Sequence, residues 1–181
     1  GGSCSGNGEV IFSDIIGSNA DRGLPTDMTQ PSADPAAWAQ VGRLSFGDID
    51  ISENGQYLYV VNLHDRMLYQ IDLQDPFNPQ VPTAAQVQGF QIPDPCNGGD
   101  PTNPRGEYRP FALKVARGKV FVGVTCSGQN ADGSNPPLAS SSNMLGTVYE
   151  WDPLSQTFDL SPKLQFDFSY RDGTGQPWVP W

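Results

Sequence analysis

A strand–tight turn–strand pattern occurs twice in this chain. In ENGQYLYVVNLHDRMLYQIDL, residues 53–73, two apolar runs flank the polar break NLHDR. In RPFALKVARGKVFVGVTC, residues 109–126, two more flank the break ARG at 116–118. Each run is too short for an ordinary helix and rich in the β-branched and aromatic residues that suit a pleated surface. The surroundings repeat as well. FGDIDIS at 46–52 alternates with the strand period, with Ile49 and Ile51 on one face. ENG at 53–55 is a turn signal, and AAQVQGFQI at 84–92 supplies a fourth, outer strand. Later, GTVYEWDP at 146–153 echoes LYQIDL, and TFDLSP at 157–162 closes the second unit. Phe111 follows Phe46 by 65 positions and Trp151-Asp152 follows Ile71-Asp72 by 80. An insertion absorbs the difference.

Repeated four-stranded meanders predict an all-β fold and, within that class, a β-propeller, whose blades stack face to face because none can bury both faces alone. The full blades fall at about 46–92 and 110–161, with 9–15 and 164–181 as parts of neighbouring blades and 16–43 and 127–145 as loop insertions. Complete propellers have about 4–8 blades. The chain therefore reads as one partial domain over 1–181, with the remaining blades expected from the same parent chain or from another chain. A β-sandwich is the competing architecture. The best helix candidate is DPAAWAQVG at 34–42, with Asp34 as N-cap and Pro35 at the first helical position.

Composition agrees with short strands and long loops. Of 181 residues, 20 are Gly and 17 are Pro, and only 17% are charged. The net charge of −10 leaves no basic footprint for nucleic acid. No stretch approaches the ~20 apolar residues of a membrane-spanning helix. Three cysteines leave one odd. Cys96 and Cys126 lie in Gly-rich polar loops and are expected to bridge, with Cys4 free or paired to another chain; the alternative is three reduced thiols. A bridge fits an extracytoplasmic location.

The segments FGDIDISENGQYLYVVNLHDRMLYQIDL, IPDPC, RPFALKVARGKVFVGVTCSG, VYEWDP and the terminal WVPW resemble a group of large, secreted or surface-attached bacterial proteins. Some of these carry SdrD-like B repeats after a propeller. The resemblance covers most of residues 40–181. In that group the chain continues past W-x-P-W into a further blade with an acidic strand. The string DIDIS-ENG-LYVVN is similar, more loosely, to NHL and YVTN-type propeller repeats. The resemblance implies a propeller and a surface location, and it carries no catalytic residues.

Several constellations invite chemistry. Asp48 and Asp50 share a strand face on what would be the channel-lining strand, and Asn62 ends the next. Together they suggest a Ca²⁺ or Mg²⁺ site of the kind lactonase-type hydrolases use. The competing reading is that these aspartates cap turns or bond the backbone of a neighbouring blade. NADGSN at 130–135 lacks the spaced acids of a Ca²⁺ loop and reads as a plain loop. His64 beside Asp65 and Arg66 sits in a turn, where adjacent side chains diverge. No GxSxG occurs. Arg105, Glu107 and Arg109 alternate before a strand, fit to grip an anionic ligand at a rim or to bridge blades. Trp178 and Trp181 are candidate interaction residues. The leading expectation is a non-catalytic extracellular module with a structural or protein-interaction role. The alternatives are a metal-dependent hydrolase with Ca²⁺ as its candidate cofactor, and a glycan-binding module.

Overall fold

The computed structural model describes Thr29 and residues 42–78, 82–96, 105–129 and 144–168. The helix candidate, the strand at 9–15, Cys4, the NADGSN loop, Trp178 and Trp181 lie outside the described residues, apart from Gly42 at the end of the helix candidate. The described residues form eight strands: β1 Phe46–Ile51, β2 Tyr57–Asn62, β3 Met67–Asp72, β4 Val87–Gln91, β5 Tyr108–Ala116, β6 Lys119–Cys126, β7 Leu145–Asp152 and β8 Thr157–Asp167. They build two antiparallel four-stranded sheets, β1-β2-β3-β4 and β5-β6-β7-β8, each in chain order. The described residues contain no α-helix. The fold is all-β.

Turn chemistry sets the hairpins. Arg117 and Gly118, both at positive φ (54° and 70°), join Ala116 to Lys119 in a two-residue turn. Positive φ at both central positions matches the right-handed twist of the flanking strands. The β2–β3 and β7–β8 loops are each closed by a residue in the left-handed region, Arg66 (φ 61°) and Gln156 (φ 56°). The two sheets thus repeat even in loop geometry.

Two expectations need correction. Ala84–Gln86 is a single 3-10 turn rather than the start of β4. The Thr83 side chain and backbone pair with Gln86, which favours the turn over an extended chain. Nor do residues 164–167 of the expected strand LQFDFSY open a further blade. Leu164–Asp167 pair with β7, Val148 opposite Leu164 and Leu145 opposite Asp167. The register jumps from Val148–Leu164 to Glu150–Asp159, so 160–163 bulge out of the ladder. Pro162 lies in this bulge, where its missing N–H is harmless. Asp159 accepts the Ser161 N–H at 2.9 Å and the Lys163 ammonium at 2.8 Å, fixing the bulge.

The sheets face each other over one core. Tyr59, Val61 and Leu68 of the first meet Leu113, Val115, Val120, Val122 and Trp151 of the second. Trp151 is fully buried, with the Tyr59 ring edge-on at 5.8 Å and Phe90 tilted at 4.8 Å. The far face of the first sheet holds a second cluster of Val60, Tyr69 and Ile71. The ladders show how the faces correspond. Ile49, Val60 and Tyr69 are aligned across the first sheet as Leu113, Val122 and Tyr149 are across the second. Ile51, Leu58 and Ile71 correspond in the same way to Val115, Val120 and Trp151. The far face of the first sheet is therefore the counterpart of the near face of the second. The sheets are related head to tail, not by a dyad.

Cys96, beyond β4, and Cys126, ending β6, form a disulfide that ties the sheets together across 30 residues of chain, Cα–Cα 5.7 Å. Closing a loop of that length restricts the unfolded chain by roughly 3–4 kcal/mol. Replacing both cysteines by serine is expected to lower unfolding free energy by about 3 kcal/mol, measured by urea titration extrapolated to water, with a larger m-value because the unbridged unfolded chain is less compact.

Candidate functional site

The acidic strand β1 runs beside β5, and here the sheets approach most closely. Gly47 permits this: a Cβ there would stand 2.8 Å from the Phe111 carbonyl oxygen. Each aspartate then uses its two oxygens differently. Asp48 Oδ1 accepts the N–H of Ile49 at 2.9 Å, and Oδ2 accepts the N–H of Leu113 at 3.1 Å. Asp50 Oδ1 accepts the N–H of Ile51 at 2.9 Å, and Oδ2 accepts the N–H of Val115 at 2.9 Å. Glu53 Oε1 adds a bond from the Arg117 N–H at 2.7 Å. Three carboxylates thus cap alternate N–H groups, two along β5, an edge strand of the described sheet, and one in the turn that follows it, and two of them also cap their own strand. The Lys114 ammonium bonds Asp50 Oδ2 at 2.7 Å. That contact and the Val115 N–H hold the Asp50 carboxyl below the usual range.

Asn62 does not join this group. Strand alternation sets it with Val60 on the far face, whereas Asp50 lies with Tyr59 on the near face. Asn62 is fully buried, and its Oδ1 accepts the His64 N–H at 2.9 Å, closing the β2–β3 turn. Among the described residues, no group of three or more His, Cys, Asp or Glu is placed to hold a metal ion.

At the end of the sheets where the β2–β3 loop meets the start of β5 lies a cavity of about 310 Å³. Among the described residues, its charged walls are Arg43, Arg66, Glu107 and Arg109, with His64 and Tyr108 beside them. Glu107 is only 4% exposed. It accepts a hydrogen bond from the Arg66 guanidinium and lies 3.4 Å from Arg43 Nε. Arg66 also stacks over the Tyr108 ring at 4.8 Å from its centre. Arg109 donates from Nη2 to Gln129 Oε1 at 2.6 Å. Burial first, then the charges of Arg43 and Arg66, lower the Arg109 guanidinium to about 10.

The structure divides the residues that alternate in NPRGEYRP. Glu107 and Arg109 line the cavity, while Arg105 donates to the Pro95 carbonyl at 3.4 Å, beside the disulfide. Arg43 and Arg66 carry no local sequence signal. They reach the cavity from separate turns, 64 and 41 residues before Glu107. His64 and Asp65 diverge. Asp65 accepts bonds from the Tyr69 hydroxyl and the Met67 N–H, and burial raises its carboxyl above the usual range.

No protein-family model matches the chain, and no solved structure does. Among curated proteins it is similar to Colossin-D of Dictyostelium discoideum, 30% identical over 109 residues, and to Colossin-A of the same organism, 25% identical over 154. These alignments cover 60% and 78% of this chain but only 10% and 1% of those proteins. The chain spans a small fraction of the length of the curated relatives it matches.

Replacing Asp50 by Ala is expected to lower stability by about 1–2 kcal/mol at pH 7. Most of this comes from the Val115 N–H, since Lys114 is 73% exposed and such pairs contribute little. Asp50 is more acidic in the folded chain than in the unfolded one, so its contribution is complete above the unfolded value and is lost as pH falls through the folded value. The gap between wild type and Asp50→Ala should therefore close below about pH 4, in urea titrations run across pH. Because Asp48 and Asp50 bond backbone N–H groups, the difference in melting temperature between wild type and Asp50→Ala should be the same with and without EDTA.

Proposed function

We propose that the two sheets are neighbouring blades of a β-propeller, and that the chain is a non-catalytic extracellular module with a structural or protein-interaction role. The head-to-tail register carries this reading. A two-sheet sandwich closes its core between two inner faces. Here the first sheet repeats, on its far side, the apolar pattern that the second buries against it. A surface that repeats in this way accepts another blade at each step. The second sheet is open to continuation on its own far side, where Leu164 is 54% and Phe166 41% exposed. The remaining blades would come from the same parent chain or from another chain.

The carboxylate ladder supports a structural role, because its oxygens are taken by backbone groups rather than held toward a channel. The disulfide suits an oxidising, extracellular setting. The similarity to short portions of two much longer proteins suits a module within a long chain.

Hydroxyl-radical footprinting tests the blade reading. In the protein as isolated from its source, Leu164 and Phe166 should be oxidised more slowly than in the 181-residue chain. Phe77 and Leu154, 96% and 93% exposed in loops, should react equally in both. Equal rates at all four residues would remove the case for a neighbouring blade on that face.

A further inference from the structure

We infer that a polar cavity between the near face of the first sheet and the β7–β8 turn is a binding site for one pyranose ring. This goes beyond the propeller reading and does not depend on it, since residues of both described sheets line the cavity.

The cavity holds about 170 Å³, and among the described residues its polar lining is Tyr57, Gln70, Asp72, Gln86, Gln88 and Gln156. Strand register brings these residues together. Gln70 stands opposite Gln88 across β3 and β4, and Tyr57 opposite Asp72 across β2 and β3. Gln156 arrives from the β7–β8 turn and donates from Nε2 to Gln88 Oε1 at 3.0 Å. Gln88 and Gln156 are both exposed, so the side chains that bridge the sheets here also meet solvent.

The lining groups have hydrogen-bonding capacity to spare. Gln70 is only 7% exposed, yet its amide is half used: Nε2 donates to Tyr59 Oη at 3.2 Å. Its carbonyl oxygen and second N–H have no partner among the described residues. A buried amide left in that condition costs stability unless something arrives to bond it. Asp72 Oδ1 accepts the Gln74 N–H at 2.8 Å, which leaves Oδ2 as an acceptor. Gln86 Oε1 is taken by Thr83, which leaves the amide NH₂ as a donor. The Tyr57 hydroxyl, with no partner among the described residues, can do both.

The mixture selects the ligand. Each sugar hydroxyl is a donor and an acceptor at once, and an amide presents one of each side by side, so adjacent hydroxyls on a ring match adjacent amides. The Tyr57 ring packs against the core and adds a fixed apolar wall for the C–H face of the sugar. Groups already held in place lose little freedom when the ligand arrives. Pockets for larger ligands run to roughly 300–1,000 Å³. A volume of about 170 Å³ therefore takes a single ring.

Saturation-transfer NMR on the full disulfide-bonded chain tests this, with the methyl glycosides of glucose, galactose, mannose and N-acetylglucosamine as probes. The expected result is saturable binding of at least one, with Kd on the order of 1 mM. Binding should weaken fivefold or more in Gln88→Ala and in Tyr57→Phe, and stay unchanged in Lys163→Gln, outside the cavity. If Tyr57→Phe loses its far-UV spectrum, Gln156→Ala replaces it with the same expectation. The trisaccharide of the sugar that binds separates two sources: tighter binding assigns a residue within a glycan, and equal or weaker binding a free sugar. No saturable binding of any of the four probes, or equal affinity in Gln88→Ala and wild type, overturns the proposal.

Discussion

The structure depends on how the edge of the second sheet is satisfied. β5 is an edge strand of the described sheet, and an edge strand presents a row of N–H groups that must find acceptors. A further strand would satisfy them by extending the sheet. Carboxylates on β1 do so while leaving the two sheets separate and stacked. The strand period supplies the spacing: Asp48 and Asp50, two apart, meet Leu113 and Val115, also two apart. Gly47 allows the strands near enough for this reach. The same aspartates bind the N–H of the residue after each, so β1 caps itself with the oxygens it does not lend to its neighbour. β5 has no such device, because Ala112 and Lys114 stand before its capped positions.

This arrangement has a direction, and the core follows it. The near face of the second sheet rests on the first, and the position that becomes Ile71 in one sheet becomes Trp151 in the other. The larger ring fills the centre of the contact, against Tyr59 and Phe90. The disulfide then links the end of β6 to the chain after β4, at a point away from the β1–β5 seam. Seam, aromatic centre and covalent tie are three separate restraints on one pair of sheets.

Much of the fold was legible because it rests on local pattern. Alternation and β-branched runs marked the strands from Tyr57 to Asp72 and from Tyr108 to Cys126, and the turn pair Arg117-Gly118 lay inside the expected break. Cys96 and Cys126 stood out by their loop contexts. The end of β8 was missed because residues 160–163 bulge out of the strand, and only the pairing of Leu164–Asp167 with β7 shows that the ladder resumes. Asp48 and Asp50 were conspicuous but ambiguous. Paired carboxylates on a strand suit a cation or a row of N–H groups equally, and the spacing of β5 decides between them. The arginine cavity was only half visible, through Arg109. Arg43 and Arg66 lie far from it in sequence, so their convergence is a property of the tertiary fold.

The distribution of charge follows from the same division. The acids of β1 are used along the seam, where each carboxylate oxygen of Asp48 and Asp50 accepts a backbone N–H. Arg43, Arg66 and Arg109 meet at the end of the sheets, beside the β2–β3 loop. Glu107 is too buried to be a surface acid; it accepts a hydrogen bond from Arg66 and lies 3.4 Å from Arg43 Nε, so one carboxylate ties the β2–β3 loop and the turn before β1 to the start of β5.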